Sequence, residues 1–205
     1  EVYRLTPRTN EDVNSHWMCD FGRLNFHYLH DENRLTHPEV KVGKSAFPSS
    51  WTESAGQLAE KLKTFSGDQI AVLGSASLTN EECFMLSTWA KEMDAGIVDV
   101  VPKAGDHDDY LIVADKNPNS AGARLTGISQ DGKSHDQLVA GIRDGSIKAL
   151  ICWQEDVAGL GLTAEDLEKL DLLVAASVLP NLATSKAHFI FPVAGFAEKR
   201  GSLIN

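Results

Sequence analysis

The chain has 205 residues, 42% of them hydrophobic and 23% charged, with a formal net charge of −10; such a composition is ordinary for one large globular domain, or one and a half smaller ones. An acidic chain without a Lys/Arg cluster lacks the cationic surface that nucleic-acid phosphates require. No apolar run reaches the roughly 18 residues of a membrane span, and no signal-peptide pattern is visible.

Residues 1–48 are rich in Asn, Asp, His and Arg, with short apolar pieces at 2–5 and 40–42. They read as a small, irregular, strand-containing segment, with its boundary near Phe47-Pro48-Ser49-Ser50. His16, His27, His30 and His37 are dense there. His27 and His30, three apart, would share a helix face and could bind a metal, but no carboxylate or cysteine completes a ligand set, so they read as surface or hydrogen-bonding histidines.

From residue 49 onward the texture becomes regular. Ser50-Trp51-Thr52-Glu53 is a capping-box pattern, followed by Ala55, Leu58, Ala59 and Leu62 at helical spacing. Residues 69–74 form a buried strand. Thr79-Asn80-Glu81-Glu82 is a second capping box, and Cys83, Leu86, Ala90 and Met93 mark the apolar stripe of its helix. Strands are predicted at 97–101 and 110–113, then a loop over 117–132. A helix opens at Ser134-His135-Asp136-Gln137, a strand covers 149–152, a short helix starts at Thr163, and strands cover 172–176 and 188–191. Continuous apolar strands linked by helices imply an α/β fold, a mainly parallel sheet with helices on both faces.

Three cysteines, Cys19, Cys83 and Cys152, are widely spaced; their odd number argues against a disulfide framework, and reduced thiols suit the cytoplasm. No pair has C-x-x-C spacing, so a self-contained zinc or iron–sulfur site is unsupported. Gly74-Ser75-Ala76-Ser77, between a strand and a helix, is where an α/β fold would hold an anion, yet it has one glycine and matches neither a P-loop nor a dinucleotide fingerprint. Trp153-Gln154-Glu155-Asp156 follows another strand, and its indole and two carboxylates would crowd and repel a diphosphate. No nucleophile–base pair is discernible.

Four stretches, in their order and spacing, carry a resemblance. They are Arg8-Thr9-Asn10-Glu11-Asp12-Val13-Asn14 running into Trp17-Met18-Cys19-Asp20-Phe21-Gly22-Arg23; Ser50-Trp51; Thr79-Asn80-Glu81-Glu82; and Phe196-Ala197-Glu198-Lys199-Arg200-Gly201-Ser202-Leu203-Ile204-Asn205. Together the chain resembles the G subunit, the large iron–sulfur subunit, of NADH-quinone oxidoreductase in respiratory complex I. That subunit is similar in turn to molybdopterin oxidoreductases such as formate dehydrogenase. The family pattern at the last stretch is Glu-x-x-Gly-Thr-x-x-Asn, and Ser202 replaces its threonine.

The resemblance implies that residues 1–48 are the tail of an iron–sulfur/molybdopterin domain and 49–205 a Rossmann-like domain truncated at its C-terminus. It places Cys19 as the fourth ligand of a [4Fe–4S] cluster whose other three cysteines lie upstream in the parent protein; a lone cysteine cannot hold a cluster, and the alternative is a small buried hydrophobe. Glu198, Gly201 and Asn205 would lie near the pterin if one is retained. No soft molybdenum ligand stands in residues 99–107; Asp106 is the alternative there, against a solvated acidic loop over 106–109.

A non-catalytic scaffold is therefore expected, with a vestigial molybdopterin-type fold supporting electron transfer from NADH to quinone. Its parent would carry iron–sulfur clusters, without molybdopterin, and sit in the cytoplasm, peripheral to the inner membrane. Its partners would be other subunits of a membrane-associated respiratory complex, with neither nucleic acid nor direct membrane insertion. The alternatives are a fragment of a catalytic, formate dehydrogenase-like molybdopterin enzyme or of a soluble hydrogenase electron-transfer subunit. Because the chain opens on Glu1 and stops within a motif, an excised piece of a larger redox protein is expected.

Overall fold

The computed structural model describes residues 2–43, 45–110 and 112–204. Its strands are β1 (Glu39–Val42), β2 (Ser45–Pro48), β3 (Ile70–Gly74), β4 (Ile97–Val100), β5 (Ala149–Trp153), β6 (Leu172–Ser177) and β7 (Phe189–Pro192). Its α-helices are α1 (Asp20–Leu24), α2 (Trp51–Leu62), α3 (Asn80–Glu92), α4 (Ser120–Leu125), α5 (His135–Asp144), α6 (Ala164–Leu167) and α7 (Leu182–Lys186). One sheet runs in the order β2-β1-β7-β6-β5-β3-β4. From β7 to β4 every pairing is parallel, while β1 lies antiparallel on β7 and β2 antiparallel on β1. The fold is thus α/β with a mostly parallel sheet, as the apolar runs led us to expect.

Side chains alternate across this sheet. Ile70 and Val72 enter one core layer with Leu58 and Leu62 of α2 and Leu86 and Ala90 of α3. Ala71 and Leu73 enter the opposite layer with Leu138 and Ile142 of α5, Leu167 of α6 and Ala183 of α7. Because both faces are covered, the central strands read as unbroken apolar runs rather than alternating ones. Chain order reverses at β3, which has β4 on one side and β5 on the other. That reversal is a switch point, the place where open α/β sheets leave a crevice beyond the strand ends.

Local chemistry sets the helix starts. Thr79 Oγ accepts from Glu82 N at 3.2 Å and Glu82 Oε2 accepts from Thr79 N at 2.8 Å, a complete box at α3. Thr163 and Asp166 do the same at α6. At α2 only half of the expected box forms: Ser50 accepts from Glu53 N, while Glu53 Oε1 takes a hydrogen bond from Gln57 instead. Ser134 does not cap α5, because its hydroxyl donates to Asp99 at 2.6 Å.

Several expectations are corrected. Residues 110–113 are no strand among the described residues, Leu111 lying outside them; Asp108 Oδ1 accepts from the N–H groups of both Tyr110 and Ile112, which folds the stretch into a turn and leaves Tyr110, Ile112 and Val113 exposed. The strands expected within residues 1–48 are β1 and β2, and residues 2–5 lie outside them. Helix α4 falls inside the stretch expected to be loop, and Ala55 and Ala59 of the α2 stripe are exposed. The β1–β2 hairpin, turning through Gly43 at φ 65°, joins the sheet by the pairs Glu39↔Ile190 and Val40↔Phe189. Among the described residues no helix is long and apolar enough to cross a membrane.

His188 makes one part of this sheet pH-dependent. Its Nδ1 accepts from Leu173 N at 2.9 Å, which requires a neutral ring. Burial, with Lys41 and Lys61 nearby and only partly opposed by Asp171, holds its pKa below the ordinary histidine value. The unfolded chain then binds the extra proton first, so stability is full above about pH 6.5 and falls as pH drops below it. His188→Asn keeps an acceptor but not the titration. Urea unfolding at about pH 7.5 and about pH 5.5 should show a smaller loss for the variant than for the parent chain; equal losses would refute the assignment.

Candidate functional site

Beyond the C-terminal ends of β3 and β5, at the switch point, lies a cleft of about 890 Å³ whose walls include Ser77, Thr79, Lys103, Asn117, Gln154 and Lys199. Among the described residues three ammonium groups line it, those of Lys103, Lys116 and Lys199. Each is engaged by a protein acceptor. Lys103 Nζ sits 3.1 Å from Glu155 Oε1, Lys116 Nζ donates to the carbonyls of Asp106 and Val113 at 2.6 Å, and Lys199 Nζ lies 2.6 Å from Glu82 Oε2.

The loop after β3 folds onto itself. Ser77 N donates to Ser75 Oγ at 3.2 Å and Leu78 N to Ser75 O at 3.1 Å. Gly74 serves packing: a Cβ there would come within 3.1 Å of Ile128 and 3.2 Å of Leu86. The N–H groups of Ser77 and Leu78 are thereby taken by Ser75, which leaves fewer amides to cradle an anion.

The amino end of α3 is covered by the segment 195–204. Asn80 N donates to Ser202 O at 2.9 Å; Ser202 donates from N and Oγ to the Glu81 carboxylate, both at 2.9 Å. The Ser202 N–H is the main reason that the Glu81 pKa is pushed down to about 2. Ile204 N donates to the buried Asn119 Oδ1 at 2.7 Å. Gly201 borders the cleft and lies on Thr79, where a Cβ would approach to 2.5 Å. Glu198 faces elsewhere: its carboxylate forks onto the Arg34 guanidinium, with Nη1 to Oε1 at 2.7 Å, and accepts from Gly195 N at 2.8 Å. Arg34 holds the Glu198 carboxyl below the usual carboxylate range. Asn205 lies outside the described residues. Two stretches singled out in the sequence, the α3 cap and the terminal motif, therefore meet in space.

The acidic turn after β5 differs from expectation. Trp153 leaves the cleft and packs edge-on against Trp89, centroids 6.5 Å apart at 82°, beside an apolar hollow of about 370 Å³ that Trp51 and Phe191 also line. Glu155 is buried, with Oε2 lacking a partner, and Asp156 caps the turn Val157–Leu160. Of these four residues only Gln154, held at φ 57°, faces the cleft.

The thiols occupy three separate environments. Cys19 is exposed, not buried, and its Sγ accepts from Gly22 N at the start of α1. Cys83 lies in the α2–α3 core layer, where burial pushes its pKa up to about 11. Cys152 lies in the opposite layer, and burial raises it further. His27 and His30 share a 3-10 turn, but His30 Nε2 bonds the Val2 backbone and His27 stacks on Phe26 at 4.4 Å. Among the described residues no group of three or more His, Cys, Asp or Glu is placed to hold a metal. Asp106 is exposed in the loop after β4.

Sequence reading missed Asp99. It is fully buried and accepts from Val100 N and Gln130 N at 2.8 Å, from Gly132 N and Ser134 N at 3.2 Å, and from the Ser134 hydroxyl. The signal was present as a lone acid within Ile97-Val98-Asp99-Val100-Val101.

No protein-family model matches the chain. Over 93 residues, 45% of its length, it is 30% identical to the G subunit of NADH-quinone oxidoreductase of Rickettsia felis. Over 85 residues, 42% of its length, it is 33% identical to F420-dependent formate dehydrogenase 2 subunit alpha of Methanococcus maripaludis, and over 90 residues, 44%, it is 29% identical to F420-dependent formate dehydrogenase subunit alpha of Methanocaldococcus jannaschii. The matched stretches span only 14%, 13% and 13% of those relatives' own lengths. The chain is thus similar to subunits of redox enzymes, and its resemblance to the G subunit of NADH-quinone oxidoreductase, expected from its motifs, stands.

Proposed function

We propose that this chain is part of a G-type subunit of an NADH-quinone oxidoreductase. It would be a scaffold of molybdopterin-oxidoreductase type that supports electron transfer from NADH to quinone without performing chemistry itself. Residues 1–48 would come from the tail of the iron–sulfur/molybdopterin domain and 49–205 from a Rossmann-like domain. The observation that carries the reading is the state of the switch-point cleft. Its three ammonium groups are held by protein acceptors, and Ser202 covers the amino end of α3.

A molybdenum–pterin group does not suit these residues. A diphosphate needs free cations or amides, and molybdenum in this class takes a soft ligand; no cysteine lines the cleft among the described residues. Exposed Cys19 would serve a cluster only with thiolates from elsewhere in the parent. The partners are other subunits of a membrane-associated respiratory complex, placed on its cytoplasmic, peripheral side. A catalytic, formate dehydrogenase-like reading is favoured by one observation, the 33% identity to a formate dehydrogenase alpha subunit. Iron and molybdenum analysis of the full-length parent, purified from its native source, separates the two. Iron without molybdenum is expected; stoichiometric molybdenum or a bound pterin-guanine nucleotide would overturn the proposal.

A further inference from the structure

We propose that residues 195–204 form a latch that opens as one unit and sets the width of the switch-point cleft. The segment has no regular structure in its last four described residues and contributes Gly195, Phe196, Lys199, Gly201 and Leu203 to the cleft wall. It is seated rather than loosely apposed. Gly195 lies so close to Leu29 that a Cβ would overlap it, and Gly201 lies against Thr79.

The fastenings run along its length. At one end Glu198 clasps Arg34 and turns back to Gly195 N. In the middle Lys199 takes Glu82. At the far end Ser202 takes Glu81 and Asn80, and Ile204 reaches Asn119. Glu81 and Glu82 are neighbours in the first turn of α3, as Glu198 and Lys199 are neighbours in the segment, so loosening one clasp shifts the next. Apart from Gly195 and the partly covered Lys199, residues 196–204 are exposed. A segment fastened mainly by polar clasps, with Phe196, Leu203 and Ile204 only about half covered, belongs to the low-stability end of local opening. Its ionic clasps weaken as salt screens them. Opening would uncover Asn80 N and free Lys199 toward the cleft, so ionic strength is the natural control.

Hydrogen exchange on the whole chain tests this. The reporters are the amides of Gly195, Asn80, Ser202 and Ile204, with β5 amides as the control. In the parent chain the four should exchange faster than β5, and faster still at about 0.5 M salt than at about 0.05 M. Glu198→Gln removes the charge-assisted clasp and should speed all four by roughly tenfold while leaving β5 unchanged. Should that variant unfold, Glu81→Gln loosens the opposite end and must still speed exchange at Gly195. Trypsin cleavage after Arg200 should rise in parallel. A response confined to the mutated end, or reporter amides that exchange only together with β5, would overturn the latch.

Discussion

Replacing Asp99 with alanine should lower unfolding free energy by about 3 kcal/mol, the range for a buried charged acceptor whose donors are left without partners. Four backbone N–H groups and the Ser134 hydroxyl converge on this carboxylate. They organise the turn between α4 and α5 and attach it to β4, the outermost parallel strand. Burial alone would push the Asp99 carboxyl up; the Ser134 hydroxyl and the N–H groups of Gln130, Val100 and Ser134 outweigh it and hold the group below the usual aspartate value. A depressed carboxylate contributes stability that is present above the unfolded value, near pH 4, and lost as pH falls through the folded one. The gap between parent and Asp99→Ala should therefore be widest near neutrality and shrink below about pH 4. Urea unfolding across that range measures it. A gap independent of pH would mean that lost packing, rather than the ionised carboxylate, accounts for the loss.

What is legible in the sequence is mostly what is local. Thr79 with Glu82 and Thr163 with Asp166 are boxes of four residues, and both form. Strands β3, β5 and β6 stand out because burial on both faces makes nearly every position apolar, Ser177 at the end of β6 excepted. Misreadings arise where a distant or flanking residue decides. Residues 110–113 have strand composition, but Asp108 beside them captures two of their amides. Helix α4 reads as loop because of its glycine, yet Gly122 is there because the Asn80 and Asn119 side chains occupy the space a Cβ would need. Phe47-Pro48 lies in β2, an edge strand, where proline is tolerated. The candidate site follows the same division. Both halves of its α3 contact are readable as motifs, but the meeting of Ser202 with Glu81, 121 positions apart, is a property of the fold alone.

Lys103 is expected to show that the cleft's cations belong to the protein rather than to a ligand. Its side chain is 47% exposed, whereas that of its partner Glu155 is 4% exposed. Removing the cation with Lys103→Met leaves a carboxylate buried without its counter-charge, and one oxygen of Glu155 already lacks a hydrogen-bond partner. Breaking a fully buried pair costs about 3–5 kcal/mol; half-exposure of the lysine, with water able to approach its place, reduces the expectation to about 2 kcal/mol. The companion Glu155→Gln should cost less, because a neutral amide leaves no buried charge and an exposed ammonium returns to water. Lys103→Met combined with Glu155→Gln should recover much of the single-lysine loss, a coupling that a double-mutant cycle by urea unfolding reads directly. If Lys103 instead stood ready for a diphosphate, Lys103→Met would be nearly neutral in the ligand-free chain and the cycle would show no coupling. The magnitude of that coupling thus bears on function, since a cation committed to Glu155 cannot hold an anion without exposing a buried carboxylate.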